Sequence, residues 1–269
     1  MRRALIVAVA LAALACHHGP ESASYTWRST LAPGRSIQIR NLNGPIDVEA
    51  ASGTEVEVTA VKRYKGSRPQ EVRFLTGTDD DGAFICAVWG RGGSCDRQSS
   101  RSSGPRPSPW ARLFGAGGNV SVAFTVRVPS GVRVDVGTTN GEVRVEGVHG
   151  AVKARTVNGA VHVAASSGPI SASTVNGSVV ATLDSLDPGV ALSLTSVNGS
   201  VTAELPEGIG ASLDMSTVNG RVTADFPVTI EGSVSPKRLR GTLGGGGREI
   251  KLETVNGSVR LKRIGAASD

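Results

Sequence analysis

Seven stretches of the chain share one arrangement of apolar and polar positions, each centred on an asparagine: Asn43, Asn140, Asn158, Asn176, Asn198, Asn219 and Asn256. The residues six and four places before each asparagine are apolar, from Ile37 and Ile39 in the first stretch to Ile250 and Leu252 in the last. The residues three and five places after it are apolar too, from Ile46 and Val48 to Val259 and Leu261. Between them lie mostly polar residues, among them Asp135, Lys153, Ser171, Ser193 and Lys251. Alternation with a period of two puts one face of an extended chain in a core and the other in water, whereas a helix would repeat every 3.6 residues. Each stretch therefore predicts a strand, a turn at the asparagine and a second strand.

Every one of the asparagines is followed by glycine: Gly44, Gly141, Gly159, Gly177, Gly199, Gly220 and Gly257. Five of the pairs complete a Thr/Ser-Val-Asn-Gly tetrapeptide that starts at Thr156, Thr174, Ser196, Thr217 and Thr254; Thr138 to Gly141 and Asn41 to Gly44 are variants. Asn and Gly both tolerate positive φ, so the pair is expected to make a tight turn. From Asn140 the asparagines follow one another after 18, 18, 22, 21 and 37 residues. The second turn of each unit varies in length, as at Gly147 to Gly150 or Asp184 to Gly189. The step of 37 predicts an insertion between about residues 227 and 248, which holds Gly244 to Gly247 and the basic cluster Lys237, Arg238 and Arg240.

Two all-β architectures satisfy this pattern. In a parallel β-helix or β-solenoid, each unit of 18 to 22 residues is one coil and equivalent strands stack about 4.8 Å apart. In an antiparallel meander or sandwich, each Asn-Gly is a type I′ hairpin turn. The solenoid is the preferred reading, because stacked coils place Asn on Asn and Thr on Thr, where side-chain ladders form. A meander requires no such sameness. The repeats are expected to occupy 131–264, with an N-terminal β region over 31–130.

That N-terminal region breaks the pattern. Residues 49–65 read as strand and Phe84 to Trp89 as another, but 90–118 is rich in Gly, Ser, Pro and Arg and reads as a surface insertion. Its aromatic residues Trp110 and Phe114, with Leu113, either meet a partner or cap the end of the stack. Asp79, Asp80 and Asp81 lack the spaced oxygen ligands of a Ca²⁺ loop, so a solvated turn is expected there. Composition agrees with a thin core: aromatics make up 4% of the chain and there are 35 glycines, so Val, Ile, Leu and Ala must fill the interior. The formal charge is +6, and ten Lys/Arg against five Asp/Glu lie between Lys62 and Arg112. Basic residues do not interleave with aromatics in the way a nucleic-acid surface requires, so no nucleic-acid partner is expected.

At the N-terminus, Arg2 and Arg3 precede an apolar run from Ala4 to Ala15 that is too short to span a bilayer. The run reads as a secretory signal over 1–15, followed by a polar tether over 16–30. Its end, Ala12-Ala13-Leu14-Ala15-Cys16, resembles the lipobox of bacterial lipoproteins, which implies cleavage before Cys16 and a lipid on its sulfur. Leu14 lies one place closer to the cysteine than the commonest pattern has it, and cleavage by ordinary signal peptidase is the alternative. With Cys16 lipidated, Cys86 and Cys95 remain in an oxidising compartment and are expected to form a disulfide.

The lipobox-like start, the stretch Val126-Arg127-Val128-Pro129-Ser130-Gly131-Val132 and the serial Asn-Gly-x-Val units resemble the adhesin-type domain-of-unknown-function class DUF4097 over roughly residues 31–264. The resemblance implies a right-handed β-helix-like fold and a cell-surface or periplasmic location, and brings no catalytic residues. The residues themselves agree: nucleophile-elbow, zincin and phosphate-loop motifs are missing from the sequence. His149 and His162 lie one unit apart, but a metal site needs more ligands. The acids Asp135, Glu142, Asp214 and Glu253 fall in different units, so a polysaccharide-active β-helix enzyme is a remote alternative. The expected function is a non-catalytic, lipid-anchored envelope or surface module that binds a glycan or protein without a cofactor. A self-assembling envelope scaffold is the alternative.

Overall fold

The computed structural model describes residues 24–65, 71–90, 92–97, 100–101, 119–164, 168–184, 189–230 and 235–264. Cys16, the signal and most of the tether, together with Trp110, Leu113 and Phe114, lie outside the described residues. The fold is an all-β solenoid of two sheets. The strands before the turns, Ser36–Arg40, Arg133–Gly137, Val152–Arg155, Ile170–Asn176, Leu192–Asn198, Glu249–Asn256 and Ala211–Asn219, stack in parallel in one sheet. Those after the turns, Ile46–Ala50, Val143–Glu146, Val161–Ala164, Val179–Thr182, Val201–Leu205, Val259–Arg263 and Val222–Ala224, stack in parallel in the other. Register is fixed at one coil per step, so Val134 faces Val152 and Ile170 faces Leu192. Of the apolar positions that define the repeat, all but Val222 and Ala224, in the outermost strand, are buried between the sheets.

The tetrapeptide forms the corner where the chain passes between the sheets. There the ladder of backbone hydrogen bonds skips one group: the carbonyl of each corner glycine, as far as the described residues show. In the Asn158 coil, the asparagine carbonyl accepts from Gly141 and the Ala160 carbonyl from Val143, while that of Gly159, between them, accepts no backbone N–H. A hydroxyl from the neighbouring coil supplies the missing donor. Thr156 donates to Gly141, Thr174 to Gly159, Ser196 to Gly177, Thr254 to Gly199 and Thr217 to Gly257, at 2.8–2.9 Å. These hydroxyl side chains are buried, so an unpaired carbonyl beside them would be costly. In the first coil, Asn41 takes the place of the hydroxyl and its longer amide reaches Val122 O at 2.8 Å.

The glycines make room for that carbonyl. A Cβ on Gly177 would collide with the carbonyl oxygen of Gly159, and a Cβ on Gly220 with that of Gly257. Gly220 lies outside the left-handed region that Gly177 occupies, so close approach, more than positive φ, is what the whole row shares. On the outer edge of the corner the asparagines form a continuous amide ladder. Asn219 donates to Asn256, Asn256 to Asn198, Asn198 to Asn176, Asn176 to Asn158 and Asn158 to Asn140, at 2.8–2.9 Å.

The ladder shows that coil order is not chain order. The Asn256 coil, last in sequence, lies between the Asn198 and Asn219 coils in both sheets. The chain leaves a slot after Asn198 and fills it with its final coil. The segment that makes the step of 37 possible supplies Arg238–Leu243, antiparallel to Ala211–Asn219, and Thr229–Ile230 beyond it. At the other end of the solenoid, Gly82–Trp89 extends one sheet in parallel and Val72–Asp79 closes it antiparallel. Asn119–Val128 extends the other sheet in parallel, and Glu55–Lys65 and Ser24–Thr30 close it antiparallel. Three aromatic rings meet at this end: Tyr25 stacks on Phe74 at 4.6 Å, and Phe74 meets Phe124 edge-on at 6.0 Å.

Two outcomes follow from the packing. Gly177→Ala is expected to lose more than about 3 kcal/mol, because the new Cβ meets backbone that cannot move without parting two coils. Asn176→Ala, which removes two exposed amide bonds, is expected to lose only about 1–2 kcal/mol in the same denaturant titration; equal losses would contradict the steric account. Ending the chain at Arg248 removes an inner coil, so amide exchange in Ala211–Asn219 should lose its protection. Retained protection would contradict the observed coil order.

Candidate binding groove

The outer face of the sheet before the turns is not flat. A groove of about 530 Å³ crosses it along the solenoid axis. Its floor is low because successive coils carry Ala151, Pro169 and Ala191 at equivalent places, seven residues before each asparagine. Two places further on, the side chains Gln38, Asp135, Lys153, Ser171 and Ser193 rise from successive strands. Arg133 stands at the level of the small residues and is exposed.

One end of the groove is closed by the segment that follows Gly82–Trp89. Cys86 is joined to Cys95 by a disulfide, with Cα atoms 6.3 Å apart, which folds residues 92–97 back over the sheet. By chain entropy alone, a loop this short is worth about 2–3 kcal/mol. Arg97 then latches the segment: Nε and Nη2 bond Asp79 at 2.8 and 2.6 Å, and Nη1 donates to Ser36 Oγ at 2.8 Å. Gln38 Nε2 donates to the Arg97 carbonyl at 2.7 Å. The covering segment buries Gln38 to 3% exposure, although its position in the strand faces outward. Its Oε1 has no hydrogen-bond partner among the described residues.

Charge in the groove is organised around Asp135. Arg40 binds both of its oxygens at 3.0 Å, and Arg155 approaches to 3.3 Å. Burial would raise the Asp135 carboxyl, but the hydrogen bond and charge of Arg40, with Arg155 and Lys153, hold it below its ordinary value. Arg97 does the same for Asp79, chiefly through its hydrogen bonds. Arg133 and Lys153 make no ion pair among the described residues.

The other residues singled out by sequence reasoning are placed as follows. The Asn-Gly corners run down one edge of the solenoid, away from the groove. Beside them the motif valines Val157, Val175, Val197, Val255 and Val218 are 37–56% exposed, so they serve no core. His162 lies 3.8 Å from Glu142, and the His149 carbonyl accepts Gly131 N–H in a second turn. The scattered acids each face a basic group: Glu142 meets Arg144 at 2.7 Å, Asp214 meets Arg240 at 2.8 Å and Glu253 meets Lys251 at 3.2 Å. Two of the cluster Lys237, Arg238 and Arg240 are thereby spent on Asp214. Sequence reasoning missed Arg133, Gln38 and Arg97 as a group. The available signal was the run of small residues at one outward position in three successive units.

The depressed carboxyls contribute to the pH dependence of folding. Arg240, chiefly by hydrogen bonding, holds Asp214 below its ordinary value, as happens at Asp79 and Asp135. A carboxyl depressed on folding stabilises the protein above its unfolded value, near 3.8, and that contribution is lost as the pH falls through the lower folded value. Asp47, raised by burial, acts in the opposite sense. With three such groups against one among the described residues, the thermal midpoint is expected to fall below about pH 4. A midpoint unchanged between pH 6 and pH 3 would contradict these assignments.

Comparison with known proteins bears on fold and family. No curated protein matches the chain in sequence. A crystal structure described as a putative cell adhesion protein from Clostridium sporogenes ATCC 15579 superposes with a TM-score of 0.50 at 11% identity, over 90% of this chain and 100% of that one. One described as a putative adhesin from Bacteroides fragilis NCTC 9343 gives a TM-score of 0.33 at 10% identity, over 91% of this chain and 99% of that one. The first likeness bears on the fold alone. A family model described as Toastrack DUF4097 matches residues 115–262, more than half of the chain and the run from before the Asn140 coil to the end of the Asn256 coil. The chain belongs to the DUF4097 Toastrack family.

Proposed function

We propose that this chain is a non-catalytic binding module of the bacterial cell envelope, adhesin-like, held to a membrane by a lipid on Cys16, with the groove as its binding face. The groove carries the reading. It is a concave feature on a rigid sheet, built from side chains that the repeat does not require for folding. Binding sites occur where a scaffold is fixed and its outward residues are free to vary. The description of the structural neighbour from Clostridium sporogenes, a putative cell adhesion protein, points the same way. The paired acids support a non-catalytic role, since a glycosidase needs two carboxyl groups poised across one bond. The ends of the sheets do not favour the scaffold reading. They close with antiparallel strands or with the three-residue Val222–Ala224, the devices that discourage edge-to-edge growth.

The test separates anchor from binding. In cells, the full chain is expected in the membrane fraction, with a mature N-terminus at Cys16 carrying acyl mass, while Cys16→Ser should be released. The released variant, purified, is expected to be retained on isolated envelope material. A mature Cys16 without acyl mass would overturn the anchor; no retention on any envelope fraction would overturn the binding role.

A further inference from the structure

The geometry points to an acidic polysaccharide as the ligand of the groove, lying along the solenoid axis with its acid groups on Arg133 and Lys153. This rests on the reading of the groove as a binding face and adds the class of ligand.

Four observations carry it. First, the floor backbone is closed to a peptide. Arg133–Gly137, Val152–Arg155 and Ile170–Asn176 are each paired on both sides, so no free edge is available for an added strand. A ligand must be read by side chains. Second, those side chains suit a polyhydroxylated chain. Ser171 and Ser193 offer hydroxyls, and Ala151, Pro169 and Ala191 offer a shallow apolar floor for the C–H face of a sugar ring. Successive strands repeat these groups about every 4.8 Å, so an elongated ligand meets them in series. Third, the charge is positive and partly uncommitted. Arg40, Arg97, Arg133, Lys153 and Arg155 gather around Asp79, Asp81 and Asp135. Arg40 and Arg155 satisfy Asp135, and Arg97 satisfies Asp79, which leaves Arg133 and Lys153 exposed on adjacent coils without an ion pair among the described residues, against the one further carboxylate of the lining, Asp81 at the latched end. A carboxylate or sulfate would make charge-assisted bonds with both. Fourth, the latched end carries a polar side chain that folding alone does not satisfy: Gln38, in the groove lining, is buried with Oε1 unpartnered among the described residues.

Equilibrium binding of the full mature chain, as Cys16→Ser, to alginate and polygalacturonate tests the inference, with neutral dextran and poly-glutamate alongside. Both acidic polysaccharides are expected to bind, weakening as salt rises, and dextran is not. Arg133→Ser/Lys153→Ser should weaken binding by about tenfold or more. Arg221→Ser/Arg260→Ser, which removes the same charge from exposed positions on the other sheet, should leave it within about twofold. Equal losses in the two variants would reduce the effect to net charge and overturn the site. Tighter binding of poly-glutamate would make the ligand an acidic peptide and overturn the class. Retention on envelope material without binding to either acidic polysaccharide would sink this inference and leave the binding role standing, whereas retention on nothing would remove both.

Discussion

The solenoid depends on one backbone group that its sheets leave without a partner. At each corner that has another coil stacked beyond it, from Gly141 to Gly257, the glycine carbonyl meets the next coil instead of joining the ladder. That coil must give it space and a donor. A glycine gives the space, because any Cβ would occupy the oxygen's position. A Thr or Ser two residues before the asparagine gives the donor. The tetrapeptide is therefore a contact between coils, written once in each. It recurs because each coil is at once the giver and the receiver of the same oxygen.

This constraint divides the molecule into parts that can vary and parts that cannot. The corner and the inward Val, Ile, Leu and Ala positions set register and pitch. Outward side chains, second turns and the ends carry no such demand. The groove arises there, from small residues in three successive coils and from a disulfide-held segment that walls one end. Three of the four sheet ends among the described residues close with antiparallel strands that abandon the repeat, and the fourth is the three-residue Val222–Ala224, which limits the parallel edge open to serve as a template. Aromatic rings pack on one another at the N-terminal closure.

The corner and the core face were legible in the sequence because they follow local periodicity. Period-2 alternation names the inward residues, and the repeated Asn-Gly names the turn. The reason for the glycine was less accessible. Positive φ is a property of one residue and can be guessed from Gly itself, but crowding by the neighbouring coil's carbonyl appears only once the coils are stacked, as Gly220 shows. Coil order was not legible at all. A final coil placed beyond Asn219 or beside Asn198 presents the same alternation, and only the pairing of Glu249–Asn256 with both neighbours decides it. Period-2 reasoning also failed along Gly82–Trp89 and at Gln38, where the folded-back segment buries positions that face outward. The groove residues were visible singly as polar outward positions, while their meeting with Arg97 required the long-range latch to Asp79 and Ser36.

The most direct measurement of the central claim compares Thr174→Ser with Thr174→Val by denaturant unfolding. Valine matches threonine in shape and is favoured in a buried strand, so packing and propensity alone predict that it is at least as stable. If the hydroxyl satisfies the Gly159 carbonyl, Thr174→Ser retains most of the stability, as Ser196 does naturally in the next coil, while Thr174→Val loses about 1–3 kcal/mol. A Thr174→Val protein as stable as the wild type would show that the carbonyl needs no donor, and the account of the repeat would fail.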